Sequence, residues 1–394
     1  MSFNIEEYLN TLPDDITSIS VSEKGLTYIP DLSRFHNLLS LSCDANYLTS
    51  LPPLNPSLKR LYCEDNQLTS LHPLNEKLKI LSCSNNRLKT LPTLNQELDH
   101  LDCEINVLTS LPILNKNLSY LNCNNNLLTE LPELNPNLST LFCENNRLTA
   151  LPDLNQNLEV LFCDDNQLTE LPPLNPKLKS LRCQSNNLTR LPELNEELSY
   201  LNCTANLLTE LPELNNNLET LDCDHNLLTS LPAFNANMEL VNCDFNRLTS
   251  LPLLNSKLKT LTCCNNMLTK LPILNIRLQE LYCSNNLLTD LLPLKQNLVW
   301  LYFMNNPIFN TIYGDDPPPE NSLMAVTRQK IQILYNFKHL FYSLKFKSKF
   351  RHWLWVKIRE PKIQEYYSPA NLQKLLNGID DDDFEQLDAA LSNW

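Results

Sequence analysis

Glycine is nearly missing from this chain, with three residues in 394 where the usual share is roughly 7%. That scarcity excludes a fold whose turns depend on glycine. No run of about 18 apolar residues occurs, so no membrane-spanning helix is expected. The opening "MSFNIEEYLNTLPDD" is acidic and lacks the apolar stretch of a secretory leader. The chain therefore reads as soluble and intracellular, where thiols stay reduced. There is no glycine-rich phosphate loop, no nucleophile elbow and no histidine pair at metal-binding spacing. Carboxylates recur as a face rather than as one differentiated acid–base pair, so no catalysis and no cofactor are expected. Isolated histidines such as His72 and His225 are assigned no role.

Charge is uneven along the chain. Residues 1–306 carry 20 Lys and Arg against 34 Asp and Glu, and residues 307–394 carry 11 of each. Within the balanced part, residues 328–362 hold ten basic residues against Glu360 alone. An acidic body joined to a locally basic tail argues against nucleic-acid binding by the body.

What the sequence has in abundance is a repeat. "LYCEDNQLTSLHPLNEKLKI" stacks on "LFCENNRLTALPDLNQNLEV" as L-x-C-x-x-N-x-L-T-x-L-P-x-L-N-x-x-L-x-x. Fourteen such units run from Leu38 to the unit opening at Leu298, and a divergent unit precedes them at an offset of 22. This is the leucine-rich-repeat pattern at its shortest workable length. Twenty residues allow one short strand and no helix on the return, which the "LPxLN" segment makes in extended, polyproline-like form. About fifteen parallel strands at about 4.8 Å make an arc of roughly 70 Å. Each unit leans on its neighbours, so both ends need caps. The Asn column (Asn46 and every twentieth residue to Asn306) is expected to bond the backbone of adjacent turns.

Thirteen of the 14 cysteines stand at every twentieth residue from Cys43 to Cys283. Alternation along L-x-C puts the leucine and cysteine inside. A line of sulfurs along one edge does not surround a point as zinc ligands must. Parallel in-register side chains do not naturally give a disulfide dihedral. Val21 and Phe303 fill the cysteine phase at the two ends, which favours a small buried hydrophobe. Cys264 alone is off the ladder, in an outward position.

Outward positions of the strands tile one concave surface. One column holds Tyr62, Asp102, Phe142, Phe162, Arg182, Tyr282 and Tyr302. Its neighbour holds Arg60, His100, Tyr120, Val160, Tyr200 and Trp300. Beyond them runs an acidic column including Asp44, Glu64, Glu104, Glu144, Asp164, Asp224 and Asp244. Exposed aromatics flanked by acidic groups resemble an interface core with its polar rim. The candidate partner-binding set is Tyr120, Phe142, Glu144, Val160, Phe162, Asp164, Arg182 and Tyr200. A second cluster, Tyr282, Trp300 and Tyr302, is expected to lie under the tail.

After Asn306 the repeat gives way to "PIFNTIYGDDPPPENS", read as a turn-rich junction. Residues 322–359 then predict a helix, with Leu334, Phe337, Phe341 and Leu344 on one face and Pro361 near its end. "SPANLQKLLNG" predicts a short helix with Ser368 as N-cap, Pro369 at N1 and Gly378 just past its end. "DDDDFEQLDAALSNW" predicts another. "LKFKSKFRHWLWVKIREP" mixes basic and aromatic residues. Docking on the last repeat, partner binding, a lipid surface and RNA are the readings it leaves.

The repeat is similar to that of bacterial leucine-rich-repeat effector ubiquitin ligases. Those use a catalytic cysteine in a C-terminal domain, and no cysteine follows Cys283 here. The chain more closely resembles leucine-rich-repeat proteins of giant DNA viruses (Mimivirus-like) over almost its whole length. The opening "LPDDITSISVSEKGLTYIPDLSRFHNL", the cysteine-bearing units and the tail carry the resemblance. The tail motif comprises Trp353, Leu354, Trp355, Lys357, Arg359, Glu360, Pro361, Tyr367, Pro369, Leu372, Leu387, Leu391 and Trp394. His72 and Leu292 replace the first proline of the unit, and Lys295 its second asparagine. The resemblance implies that the tail is an address or docking element separable from the repeats.

Together these features predict an α/β repeat solenoid, right-handed, with a helical C-terminal module. Residues 1–36 form an N-terminal cap and divergent first repeat, 37–306 the solenoid, and 307–394 the linker and tail. The expected function is a non-enzymatic scaffold that binds a protein partner, basic or mixed in charge and from a host cell, on its concave face. The alternatives are a structural or virion-associated protein whose tail makes the specific contact, or an adaptor in a host ubiquitination or signalling assembly. A cytoplasmic monomer is expected, with the virion as a second location.

Overall fold

The computed structural model describes residues 3–291, 294, 296–313, 323–361 and 368–376. The chain divides into two compact units, Met1–Met324 and Ala325–Trp394.

The first unit is the repeat solenoid. It opens with helix α1 (Ile5–Asn10), capped by Asn4, whose side-chain oxygen accepts from the Glu6 and Glu7 amides. Ile5 and Leu9 are the buried side of this helix. Three-residue strands follow, one per turn: β1 (Ser18–Ser20), β2 (Ser40–Ser42), β3 (Arg60–Tyr62), β4 (Ile80–Ser82), β5 (His100–Asp102), β6 (Tyr120–Asn122), β7 (Thr140–Phe142) and β8 (Val160–Phe162). The series continues with β9 (Ser180–Arg182), β10 (Tyr200–Asn202), β11 (Thr220–Asp222), β12 (Leu240–Asn242), β13 (Thr260–Thr262), β14 (Glu280–Tyr282) and β15 (Trp300–Tyr302). They form one parallel sheet in sequence order. β1 pairs with β2 at the offset of 22 expected for the divergent unit, and every later pair steps by 20, as in Leu141 beside Leu161.

Period and burial together explain the short strands. In one turn Leu158, Leu161, Cys163 and Leu168 are all fully buried, while Phe162 between them faces outward and is half-buried. Each ladder asparagine then closes the turn. Asn166 Nδ2 donates to the carbonyls of Cys143 (2.9 Å), Cys163 (3.2 Å) and Asp164 (3.0 Å), and its Oδ1 accepts from Leu148 N (3.0 Å). One side chain thus satisfies buried backbone groups of two successive turns, which would otherwise be costly orphans. The asparagine of the return segment makes a second ladder, whose function the repeat consensus did not reveal. Asn175 Nδ2, for example, donates to Leu158 O at 2.8 Å.

The sulfurs are free thiols, and all thirteen ladder cysteines are buried. Many donate to the carbonyl of the next turn, as Cys163 Sγ does to Arg182 O at 3.2 Å. Burial pushes their pKa values well up, as at Cys163 and Cys183, so they are inert packing groups rather than thiolates. Cys264 is only partly covered. Its pKa is pushed up to about 11 by burial and by Asp244.

Scarcity of glycine does not mean absence of left-handed backbone. The residue before each ladder asparagine, from Ala45 to Asn305, has a φ of 48 to 57°. Asn and Asp tolerate this region, and they fill several of these sites. Ile105 and Phe245 occupy it too, where a β-branched or bulky side chain is strained.

At the far end Phe303 takes the cysteine phase and is 1% exposed. Helix α2 (Pro307–Tyr313) closes the last turn, burying Ile308, Ile312 and Tyr313. Phe303 meets the Phe309 and Tyr313 rings at 5.3 and 6.3 Å, and Ile308 N donates to Leu288 O. The first seven residues of the expected turn-rich junction are therefore helical. Pro307 fits the first turn of a helix, and Ile308 and Ile312 at i, i+4 give it one apolar face.

Helix α3 (Leu323–Leu354) starts at the end of the first unit and lies mainly in the second, which also contains a π-helical turn over Trp355–Arg359 and helix α4 (Pro369–Leu376). α3 occupies the expected range, but among its described side chains only Thr327 and Ile331 are buried. Phe337 and Phe341, expected on an apolar face, are exposed. Ser368 caps α4 through Asn371 N, as expected. Tyr367, Gly378, Leu387, Leu391, Trp394 and the last expected helix lie outside the described residues. Among the described residues, no helix is long and apolar enough to cross a membrane.

Candidate interaction face

Alternation sends the first and third residue of every strand to the open face of the sheet, and parallel register lines up like positions. Between β5 and β9 this aligns large planar groups. His100 stacks on Tyr120 (4.0 Å between centroids, 8° between planes), and Tyr120 meets Phe142 edge-on at 5.6 Å. Phe142 stacks on Phe162 at 5.0 Å, and the Arg182 guanidinium lies 4.8 Å from the Phe162 centroid. Five strands thus carry one continuous ridge of rings ending in a guanidinium. Such geometry adds attraction beyond area burial.

The expected set resolves as follows. Tyr120, Phe142, Phe162 and Arg182 belong to the ridge, and Val160 lies half-buried on β8 beside it. Tyr200 stands apart, because its neighbours in register are Ser180 and Thr220. His100 completes the ridge and was missing from the expected set; its signal was its place in the same column as Tyr120. His225, read as isolated, stacks on Phe245 at 4.2 Å and contacts Asp224 at 2.7 Å. Tyr282 and Tyr302 also stack, at 5.0 Å.

The acidic column was expected to be a solvated rim, and at Asp164 it is not. Its side chain is 1% exposed, lying 2.6 Å from Arg182 Nη2, which also pairs with Glu144 at 3.2 Å. Arg182 Nε, by contrast, is buried without a hydrogen-bond partner. Asp164 Oδ1 accepts from Gln184 N. Burial pushes the Asp164 carboxyl up to about 7, assisted by hydrogen bonding to Glu144 and opposed by Arg182. Glu144 is held in turn by Asn124 Nδ2 at 2.7 Å.

Two other places on this column carry adjacent acids. Glu64 is pushed up to about 7 by burial and by its bond to Asp44. Asp44 moves the other way: burial raises it, but hydrogen bonds from Glu64, Ser42 and Ser22 outweigh that. Asp244 is raised to about 6, mainly by burial. Among the described residues, no three His, Cys, Asp or Glu come together as metal ligands.

Of the tail motif, Trp353, Trp355, Lys357 and Pro361 are exposed and Glu360 is half-buried. Arg359 closes the π-helical turn.

A stack of equivalent turns presenting one variable open face defines a class of protein, the leucine-rich-repeat solenoid. The chain belongs to the leucine-rich-repeat proteins. It is 37% identical to YopM, a leucine-rich effector protein from Yersinia pestis, over 74% of this chain and 84% of that one, with a TM-score of 0.68. A leucine-rich-repeat protein of Leptospira interrogans shares the fold at 24% identity, covering 77% of this chain and 93% of that one, with a TM-score of 0.55. The functional domain of InlJ from Listeria monocytogenes includes a cysteine ladder. It is 26% identical over 70% of this chain and 64% of that one, with a TM-score of 0.52. No family model and no curated protein matches the sequence. Proteins of this fold typically serve as protein-interaction scaffolds.

Proposed function

We propose that this protein is a non-enzymatic scaffold that holds a basic or mixed-charge protein on the open face of β5–β9. The observation that carries the reading is the ridge from His100 to Arg182, half-buried, rimmed by Glu104 and Glu144 and backed by the buried Asp164. Aromatic and arginine anchors ringed by polar groups concentrate binding energy. An acidic body also speeds encounter with a basic partner. The resemblance to giant-virus proteins suggests a host-cell partner and a cytoplasmic monomer. The likeness to an effector protein is compatible with that setting.

A second reading rests on the exposed Trp353, Trp355 and Lys357 of the tail. There the tail makes the specific contact, in a virion or in a host ubiquitination or signalling assembly. Affinity capture from host extract separates the two with three forms: the intact chain, Phe142→Ser/Phe162→Ser, and residues 1–324. Loss of a partner only in the double variant supports the open face. Loss only in the shortened form supports the tail, and would refute the first reading.

A further inference from the structure

The repeat supplies an internal control for reading one of its own sites. At the Phe162 site four groups meet: a ring on β8, the carboxylates of Asp164 and Glu144 on adjacent turns, and the Arg182 guanidinium from the next strand. Moving by five turns brings the same phases to Tyr62, Glu64, Asp44 and Ser82. Tyr62 lies in register between Ser42 and Ser82, as Phe162 lies between Phe142 and Arg182. Ring and both carboxylates are present; the cation is replaced by a serine.

The neighbours of Tyr62 differ in the corresponding way. Phe162 is covered by a ring on one side and a guanidinium on the other. Tyr62 has no ring or cation partner among the described residues, and Ser42 and Ser82 are too small to supply one. Ser82 is already buried, so an incoming group would lie over it rather than in a hole. Asp44 Oδ2 is tied to Ser42 Oγ (2.6 Å) and Ser22 Oγ (3.1 Å), and Asp44 Oδ1 accepts from Glu64 N (3.2 Å). Both carboxylates are half-buried. Arg60, on the same strand, is exposed and makes no ion pair among the described residues.

We infer that Tyr62, Asp44 and Glu64 receive an arginine side chain of the bound partner, its guanidinium taking over Ser82 the place that Arg182 takes at Phe162. Planarity is what selects it: a guanidinium can lie flat on a ring face with all its N–H groups directed to carboxylates at its edge, whereas a lysine ammonium over the ring turns part of its N–H groups into the face. The inference rests on the reading of the open face as a binding surface for a basic protein. It names the residue type read at β3, about 24 Å from the Phe162 site at five strand spacings.

The test uses the full chain carrying 3-fluorotyrosine, with the Tyr62 resonance assigned by Tyr62→Phe. The probe is the peptide acetyl-Gly-Gly-Arg-Gly-Gly-amide, alongside its citrulline and lysine counterparts. The arginine peptide is expected to move the Tyr62 resonance saturably, the neutral citrulline peptide to leave it unmoved, and lysine to bind more weakly. Ser82→Arg fills the site from within and should abolish the response. Glu64→Gln should weaken it about tenfold at about pH 8, above the raised Glu64 value, the effect of losing one close charge pair. No Tyr62 response, an equal response to lysine, or a response unchanged in both variants overturns the inference. Phe142→Ser/Phe162→Ser should leave the Tyr62 response intact, so failure at β3 and failure of the ridge are read separately.

Discussion

The middle of the sheet and its C-terminal stretch share one interior and present different surfaces. Inside, Leu161 and Cys163 of the middle match Val241 and Cys243 further along, all fully buried. The bonds of Asn166 recur at Asn246, which donates to the carbonyls of Cys223, Cys243 and Asp244. Outside, Phe142, Phe162 and Arg182 on β7–β9 give way to Asp222, Asn242 and Thr262 on β11–β13. Folding is therefore assigned to inward positions that stay apolar or asparagine, and recognition to positions that folding leaves free.

The largest expected effect is one that must be equal in both regions. Asn166→Leu and Asn246→Leu should each lower stability by about 1–3 kcal/mol by stranding backbone groups of two turns. Denaturant midpoints that differ clearly between the two variants would break the claim of a uniform interior.

The pH response should differ between the regions. Asp164 is raised to about 7 and Asp244 to about 6, whereas an unfolded Asp titrates at about 4. The folded chain retains protons there that the unfolded chain releases. This contribution is fully present below about pH 4 and is lost as pH rises through the folded values. Thermal midpoints should therefore fall between about pH 5 and pH 8. At the upper pH, Asp164→Asn should restore more stability than Asp244→Asn, because the Asp164 carboxyl is raised further even with Arg182 opposing the shift. The opposite ranking would mean that losing the Asp164–Arg182 contact outweighs the relief of a buried charge.

A smaller effect lies in the left-handed positions. Ile105→Asn should stabilise by about 1 kcal/mol, since Asn accepts this backbone where a β-branched residue is strained. Asn265→Ile should cost about as much by the same reasoning. Urea titration of both checks the pair, and no gain at Ile105 would mean that its side-chain packing offsets the strain. The smallest effect is chemical: mild alkylation of the native protein should label Cys264 first and spare Cys263. Early loss of ladder thiols would contradict their burial.

Much of the fold was legible because a strict period repeats one physical solution, so every turn votes for the same interior. The first Asn ladder followed from the need to satisfy buried amides. The left-handed residues did not, because glycine, their usual mark, is absent from those positions. Helix α2 was hidden by the Gly-Asp-Asp-Pro string that follows it. At the candidate site the columns were readable, but Asp164's burial depends on which way Arg182 leans. That is a side-chain conformation, and alternation alone does not fix it. His100 was visible in its column, yet only the 4.0 Å stack makes it part of the ridge.

The two sets of cross-turn bonds point in opposite directions. Ladder thiols reach toward the following turn, and ladder amides toward the preceding one. Any internal turn can then be removed or added as a whole twenty-residue block, and the bonds on either side find equivalent partners. The coil is in effect a ruler graduated at about 4.8 Å. Its marks set the separation between Tyr62 and Phe162, and a partner that reads both must be cut to the same scale.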